Sequence, residues 1–222
     1  MTSVTIHLTP VASSTFATVA DVEAFLQVDI STDATKNAAC VRALEEATAA
    51  IRNYCHQYLS EVEDDEVTFD CVGGSKLFLP ELPVTEVDSV TEGGTALVAG
   101  ADEDYQLGEH GVLHRVGQEW ESGIQIIEVK YTHGYDVIPD DIVGVCTRAA
   151  SRGYQAGLAS AATAGVPGVA SLGLGDFQAG FQSSVGGGVS EPAGGASTAR
   201  MLLLSEKDIL DKYRVVPQPT RA

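Results

Sequence analysis

The hydrophobic repeat of this chain changes period twice, and that limits the folds open to it. From about residue 34 to residue 59, Val41, Leu44, Thr48, Ile51, Cys55 and Tyr58 recur at alternating steps of three and four, which marks one face of a long helix. Arg42, Glu45, Glu46, Arg52 and Gln57 lie mainly off that stripe. Between residues 66 and 132 the period falls to two, in short runs such as "EVTFDCV", "KLFLP", "VTEVDSVTE", "VLHRV" and "IQIIEVKY". After Pro139 the helical spacing returns with Ile142, Cys146, Ala149 and Gly153. A chain that reads helix, strands, helix predicts an α+β fold: a small helical bundle with an inserted antiparallel sheet and hairpin region.

The punctuation agrees. Thr18 followed by Asp21 predicts a capped helix over 18–27, and Asp33 or Thr32 caps the long helix. Gly73-Gly74 and Gly93-Gly94 read as hairpin turns, with a further turn at Glu109-His110-Gly111. In "VKYTHGYDVIPDDIV", Tyr131 ends a strand, Gly134 is free to take positive φ, and Pro139 opens a helix with Asp140 and Asp141 in its first turn. Ser205, with Asp208 three residues on, predicts a short helix "SEKDILDKYR". The expected organisation is therefore an N-terminal arm (1–17) and a core (18–157) with helices 18–27, 34–59 and 139–156 around a β insertion at 66–132. A glycine-rich flexible arm (158–204) and a C-terminal helix with an extended tail (205–222) follow.

Twelve of the 23 glycines lie between 153 and 195, where Asp176 and Glu191 are the only charges. Such a segment buries little side-chain area, so it is expected to be mobile. Within it "VASLGLGDFQAGFQ" has enough apolar residues to become a strand on a partner.

The net charge is −18, which disfavours binding to nucleic-acid phosphates. Residues 61–104 hold thirteen acidic side chains against Lys76 alone, whereas residues 146–222 hold seven basic and five acidic. The opening "MTSVTIHLTPVASST" lacks a basic start followed by an apolar run, so a signal peptide is not expected, and no apolar stretch is long enough to span a bilayer. Cys40, Cys55, Cys71 and Cys146 form no CxxC pair and read as reduced core thiols.

Candidate chemistry is thin. His133 and Asp136 could form an acid–base pair, but no nucleophile stands in a recognisable setting beside them, and the aspartates suit a helix start. Glu109, His110 and His114 could ligate a metal only by accidental convergence of a turn and a strand. The run from Glu61 to Glu66 lacks the spaced pattern of a calcium loop and reads as a solvated charge run closing the long helix. "GLGDFQAG" matches no phosphate-binding motif. Trp120 and Tyr105 suit core and interface equally. The expectation is no catalytic residue, no metal and no cofactor.

The order of parts resembles the head-to-tail connector adaptors of long-tailed bacteriophages. The resemblance rests on "TVADVEAFL", "AIRNYCHQYL", "LPELPVTEVDSV", "IEVKYTHGYDVIPDDIVGVCTRAASR" and "ILDKYR", and covers roughly residues 18–157 and 205–214. Its most specific piece is V-x-Y-T-H-G-Y-D-x-I-P-x-D-I, and "LGDFQAGF" is similar to a segment that such proteins carry after the third helix. The resemblance implies a structural virion protein and not an enzyme. It implies a ring of about twelve subunits docked beneath the portal protein, joining it to a head-closure or tail protein around a channel through which DNA passes unbound. Such a protein is made in the bacterial cytoplasm and carried in the virion neck, with no membrane partner. C-terminal segments commonly hold such rings to the portal. Here Ile209, Leu210 and Tyr213 would be the apolar anchor, with Lys212 and Arg214 meeting acidic groups. Head-closure and tail-terminator proteins are the alternative virion reading, and a small acidic enzyme using His133 and Asp136 is the remote one.

Overall fold

The computed structural model describes residues 5–6, 15–163, 171–174, 177–180 and 201–215. The fold class is α+β, with four α-helices and antiparallel sheets among these residues. The chain divides into two compact units, one of Met1–Phe16, Ile51–Ile142 and Ile209–Ala222, the other of Ala17–Ala50 and Val143–Asp208. Most of the expected N-terminal arm, most of the glycine-rich arm, and the tail beyond Val215 lie outside the described residues.

The first unit is built on strands β1 (Thr5–Ile6), β2 (Val62–Cys71), β3 (Lys76–Phe78), β4 (Val84–Glu92), β5 (Thr95–Leu97), β6 (Tyr105–Leu107), β7 (Val112–Arg115) and β8 (Gly123–His133). They form a five-stranded sheet in the order β1-β2-β8-β4-β5 and a three-stranded sheet in the order β3-β7-β6, all pairs antiparallel. The glycine pair at 93–94 makes the expected hairpin, β4 to β5. Gly73-Gly74 does not. Both residues take positive φ, but the turn sends the chain from the larger sheet into the smaller, so β2 and β3 are not partners. Two sheets can face each other across one apolar layer, and they do: Val67, Phe69, Val90, Ile127 and Val129 of one share a buried cluster with Leu77, Tyr105 and Leu113 of the other, with Trp120 among them. Trp120 and Tyr105 are thus core residues.

The acidic run at 61–66 also departs from expectation, because Val62–Glu66 belongs to β2. Glu63, Asp64 and Glu66 are exposed there, whereas Asp65 is half-buried against His133. The ladder is irregular there. Register shifts interrupt β2 between Val62 and Asp65, with Asp64 at φ 57°, and interrupt β4 twice.

The second unit holds α1 (Val19–Leu26) and the start of α2 (Ala34–Cys55). It also holds most of α3 (Asp140–Thr163), the hairpin β9 (Ser171–Leu174) with β10 (Phe177–Gly180), and the start of α4 (Leu204–Leu210). Thr18 and Asp21 form the expected capping box, and the Asp33 carboxylate accepts the amides of Thr35 and Lys36 at 2.9 and 3.2 Å. The buried side of α2 here is Cys40, Ala43, Leu44, Ala47 and Thr48, whereas Val41 is exposed. Small residues allow close approach: a Cβ on Gly153 would stand 3.6 Å from that of Ala43, and Thr48 Oγ1 lies 3.6 Å from Cys146 Sγ.

Helix ends differ from the sequence reading in three places. α2 stops at Cys55, four residues early, because His56 turns left-handed at φ 59°. α3 begins one residue after Pro139 and runs on to Thr163, through Gly153 and Gly157. α4 begins at Leu204, and its cap is Leu203, whose amide is accepted by Glu206 at 2.9 Å; Ser205 and Asp208 are not the cap. All four cysteines are buried.

One polar group is central to the first unit. Arg115, with its side chain 5% exposed, reaches Glu92 at 3.2 Å and Asp104 at 3.3 Å, donates to the Asp104 carbonyl, and lies 5.6 Å from the Trp120 ring. Removing one partner of a buried ion pair leaves the other without compensation. Arg115→Ala is expected to lower stability by about 3–5 kcal/mol, read as a fall in the urea midpoint with the slope unchanged.

Candidate functional site

The strand–turn–helix joint and the C-terminal segment, both in the first unit, carry the residues that the sequence singled out. Along β8, Ile127, Val129, Tyr131 and His133 are buried by strict alternation. His133 ends the strand, paired with Val62 on one side and Val84 on the other. Backbone bonds fix Gly134 and Tyr135 just beyond it. Gly134 N–H donates to the Pro83 carbonyl at 2.8 Å, Tyr135 N–H to Leu59 at 2.9 Å, and Glu61 N–H to Tyr135 at 3.1 Å. Gly134 takes φ 93°, and any Cβ there would collide with the Ser60 carbonyl. The glycine of the motif is required by that approach.

His133 is 1% exposed, and its Nε2 lies 3.2 Å from Asp65 Oδ2. Its Nδ1 is buried and meets no partner among the described residues. Burial lowers its pKa, against the pull of Asp65. Asp136 is exposed. The suggested acid–base pair therefore does not form: the imidazole is turned inward to a different carboxylate, where no substrate reaches it. Beside it, burial raises Glu81 to about 7, the nearby Asp65 adding to the shift and the Tyr58 amide, donating at 2.8 Å, opposing it. Burial also raises the Tyr131 phenol.

Glu109, His110 and His114 do not converge. His110 sits exposed at φ 58° in the 3-10 turn Glu109–Gly111, and the His114 ring packs over Gly108. Among the described residues, no group of three or more His, Cys, Asp or Glu could hold a metal, and no helix is long and apolar enough to cross a membrane.

The five C-terminal candidates come together, but on their own chain. Leu210 is fully buried, Ile209 and Tyr213 are half-buried, and Lys212 and Arg214 are exposed. Asp141 organises the segment. Its carboxylate accepts Lys212 Nζ at 2.6 Å and the Tyr213 hydroxyl at 2.7 Å. Burial alone would raise the pKa of Asp141, but these two bonds hold it below the usual range. Gln57 Nε2 donates to the Tyr213 carbonyl at 2.6 Å, the Tyr54 hydroxyl to Asp211 at 2.6 Å, and Val215 N–H to the Cys55 carbonyl at 3.0 Å. The Arg214 guanidinium lies 5.6 Å from the Tyr54 ring. Sequence reasoning gave Asp141 a helix-start role only. Tyr54 and Gln57 carried no signal for this role, because their partners stand more than 150 residues away. In the second unit, α4 is gripped by Glu206, which is 2% exposed and takes two bonds from Arg152 at 2.8 and 2.6 Å.

Residues 15–147 match the head completion protein family. Among solved structures, a chain from the virion of a native gene transfer agent particle is 14% identical, over 96% of this chain and 95% of that one, with a TM-score of 0.52. A chain from the neck of a native gene transfer agent particle, computed with C12 symmetry, is 16% identical over 81% and 84%, with a TM-score of 0.43. No curated protein matches. The family match makes this a structural, non-enzymatic protein of the phage head-completion class. The chain belongs to the head completion protein family.

Two outcomes follow from the geometry. The raised pKa of Glu81 gives a stability contribution that is full below its ordinary value of 4.5 and lost as pH rises through about 7. His133, with its pKa lowered, works in the opposite sense, its contribution being present above 6.5 and lost in acid. Glu81→Gln should therefore flatten the fall in melting temperature between pH 5 and pH 8 while leaving the acid-side fall in place. Tyr213→Phe should cost about 1 kcal/mol in urea denaturation and speed protease cleavage near residue 213.

Proposed function

We propose that this chain is a head-to-tail connector adaptor, forming a ring beneath the portal and linking it to the head-closure or tail protein around the DNA channel. The match of residues 15–147 to the head completion family carries this reading. The fold shared with a gene transfer agent virion protein supports it, as does a net charge of −18, which lets duplex DNA pass without adhering. Its proposed location is the virion neck.

In this reading residues 18–157 are the adaptor core, with its two main helices as a bundle. The glycine-rich residues 158–204 are a mobile arm, and 205–222 are the portal-side helix and tail. Ile209, Leu210, Lys212, Tyr213 and Arg214 are the proposed portal contacts. Lys212 and Arg214 reach a partner directly, and half-buried Ile209 and Tyr213 reach it in part. Leu210 does so only if the segment lifts from its own unit.

Electron microscopy of the chain mixed with its portal tests the proposal. The expected result is a ring at the tail-side end of the portal, weakened by Lys212→Glu together with Arg214→Glu. Truncation is a poor substitute, because it removes Leu210 from the core. A portal that stays bare in the presence of folded chain overturns the proposal.

A further inference from the structure

We infer that the turn at residues 80–83 is a proton-operated latch on the C-terminal segment, holding residues 210–215 to their own unit in mild acid and loosening them in alkali. One buried side chain makes the link. Gln57, 7% exposed, accepts the Leu82 N–H at 3.0 Å through Oε1 and donates from Nε2 to the Tyr213 carbonyl at 2.6 Å. Losing the Leu82 bond leaves a buried acceptor unsatisfied and lets the amide turn, so the Tyr213 bond weakens with it. The turn is pinned on either side. Leu79 N–H donates to the Gly111 carbonyl at 2.9 Å, and the Pro83 carbonyl accepts the Gly134 N–H at 2.8 Å. What can shift between these anchors is residues 80–82, which place Glu81 next to the Leu82 amide.

Glu81 is the trigger. Its carboxyl accepts the Tyr58 N–H at 2.8 Å. The titratable groups acting on it come from two strands: Asp65 of β2 and Tyr131 of β8. His133 of β8 stands behind them, 3.2 Å from Asp65 and with its ring centroid 5.1 Å from that of Tyr131. None of the three offers a positive charge at neutral pH, because burial lowers His133 below its ordinary 6.5. Burial raises Glu81 to about 7, the Tyr58 amide opposing and Asp65 adding. The neutral acid therefore suits the turn. As pH rises through about 7, ionisation sets a second carboxylate beside Asp65, and the turn relieves it by moving Glu81 toward water. The Leu82 amide then leaves Gln57, and the Tyr213 carbonyl loses its donor. The bonds of Asp141 to Lys212 and Tyr213, and of Val215 to Cys55, remain, so the segment loosens and does not detach. The latch does not depend on the connector reading. Where that reading holds, the segment proposed as the portal contact is stowed below neutral pH and leaves its own unit more readily above it.

Hydrogen exchange of the full-length chain, read by mass spectrometry as protection factors from pH 6 to pH 9, is the measurement. Peptides covering residues 210–215 should lose protection by about tenfold or more, with a midpoint near pH 7, while those covering β7 stay protected. Glu81→Gln keeps an acceptor for the Tyr58 amide but cannot ionise, so it should hold residues 210–215 protected throughout. Gln57→Met keeps the trigger and removes the link. In that variant the segment should be less protected at pH 6 and should no longer respond to pH. Should Glu81→Gln melt below the native chain at pH 6, Glu81→Met takes its place. Three results overturn the inference: native protection that does not change with pH, an equal loss across β7 and the C-terminal segment, or a pH response that survives in Glu81→Gln or Gln57→Met. Each would leave the adaptor reading standing, and a bare portal would remove that reading while leaving the latch.

Discussion

Exclusion of water from one face of β8 is the constraint on which the first unit depends. This strand is flanked on both sides, by β2 and by β4, and its alternate residues from Ile127 to His133 are buried. A polar ring at the end of such a row must be neutral or paired. His133 meets that condition through Asp65, and burial keeps its proton affinity low. The same exclusion raises Glu81 and Tyr131. What looks in one dimension like a cluster of reactive side chains is, in three, a set of groups whose charge has been suppressed to close a layer.

What was legible in the sequence was whatever depends on near neighbours. The Thr18 and Asp21 cap, the Asp33 cap, the β4–β5 turn and the positive φ of Gly134 all follow from residues within a few positions of each other. Sheet partnership was not legible. Gly73-Gly74 has the composition of a hairpin, but the turn's outcome is set by which apolar layer β3 can complete, and its partner β7 lies more than thirty residues on. The acidic run at 61–66 reads as a helix end because four consecutive carboxylates, Glu63 to Glu66, hide the period of two. For the candidate site, the five C-terminal residues were found as a group, but their holders were not. Asp141, Tyr54 and Gln57 are ordinary helix or helix-end residues until the chain returns to them.

Ion pairs are spent on position: Arg115 joins Glu92 to Asp104, Arg152 holds Glu206, and Lys212 is held by Asp141. The C-terminal segment is therefore docked at home, through carboxylates of its own chain. A partner that engages it competes with bonds already made, so binding there reflects the difference between two sets of contacts.

The broken register of β2 and β4 has a consequence for crowding. Asp64 interrupts the ladder of β2 with a left-handed kink, and β4 carries two shifts along Val84–Ser89. Among the described residues β5 pairs only Val90–Glu92 of β4, so the margin along Val84–Ser89 is open; a straight one would be a template on which identical chains stack into fibrils, whereas this crooked one, bearing exposed Glu86 and Asp88, presents its amides out of step and repels its own likeness. Concentrated solutions of this protein should thus be guarded against amyloid-like growth by the same irregularities that make its larger sheet untidy.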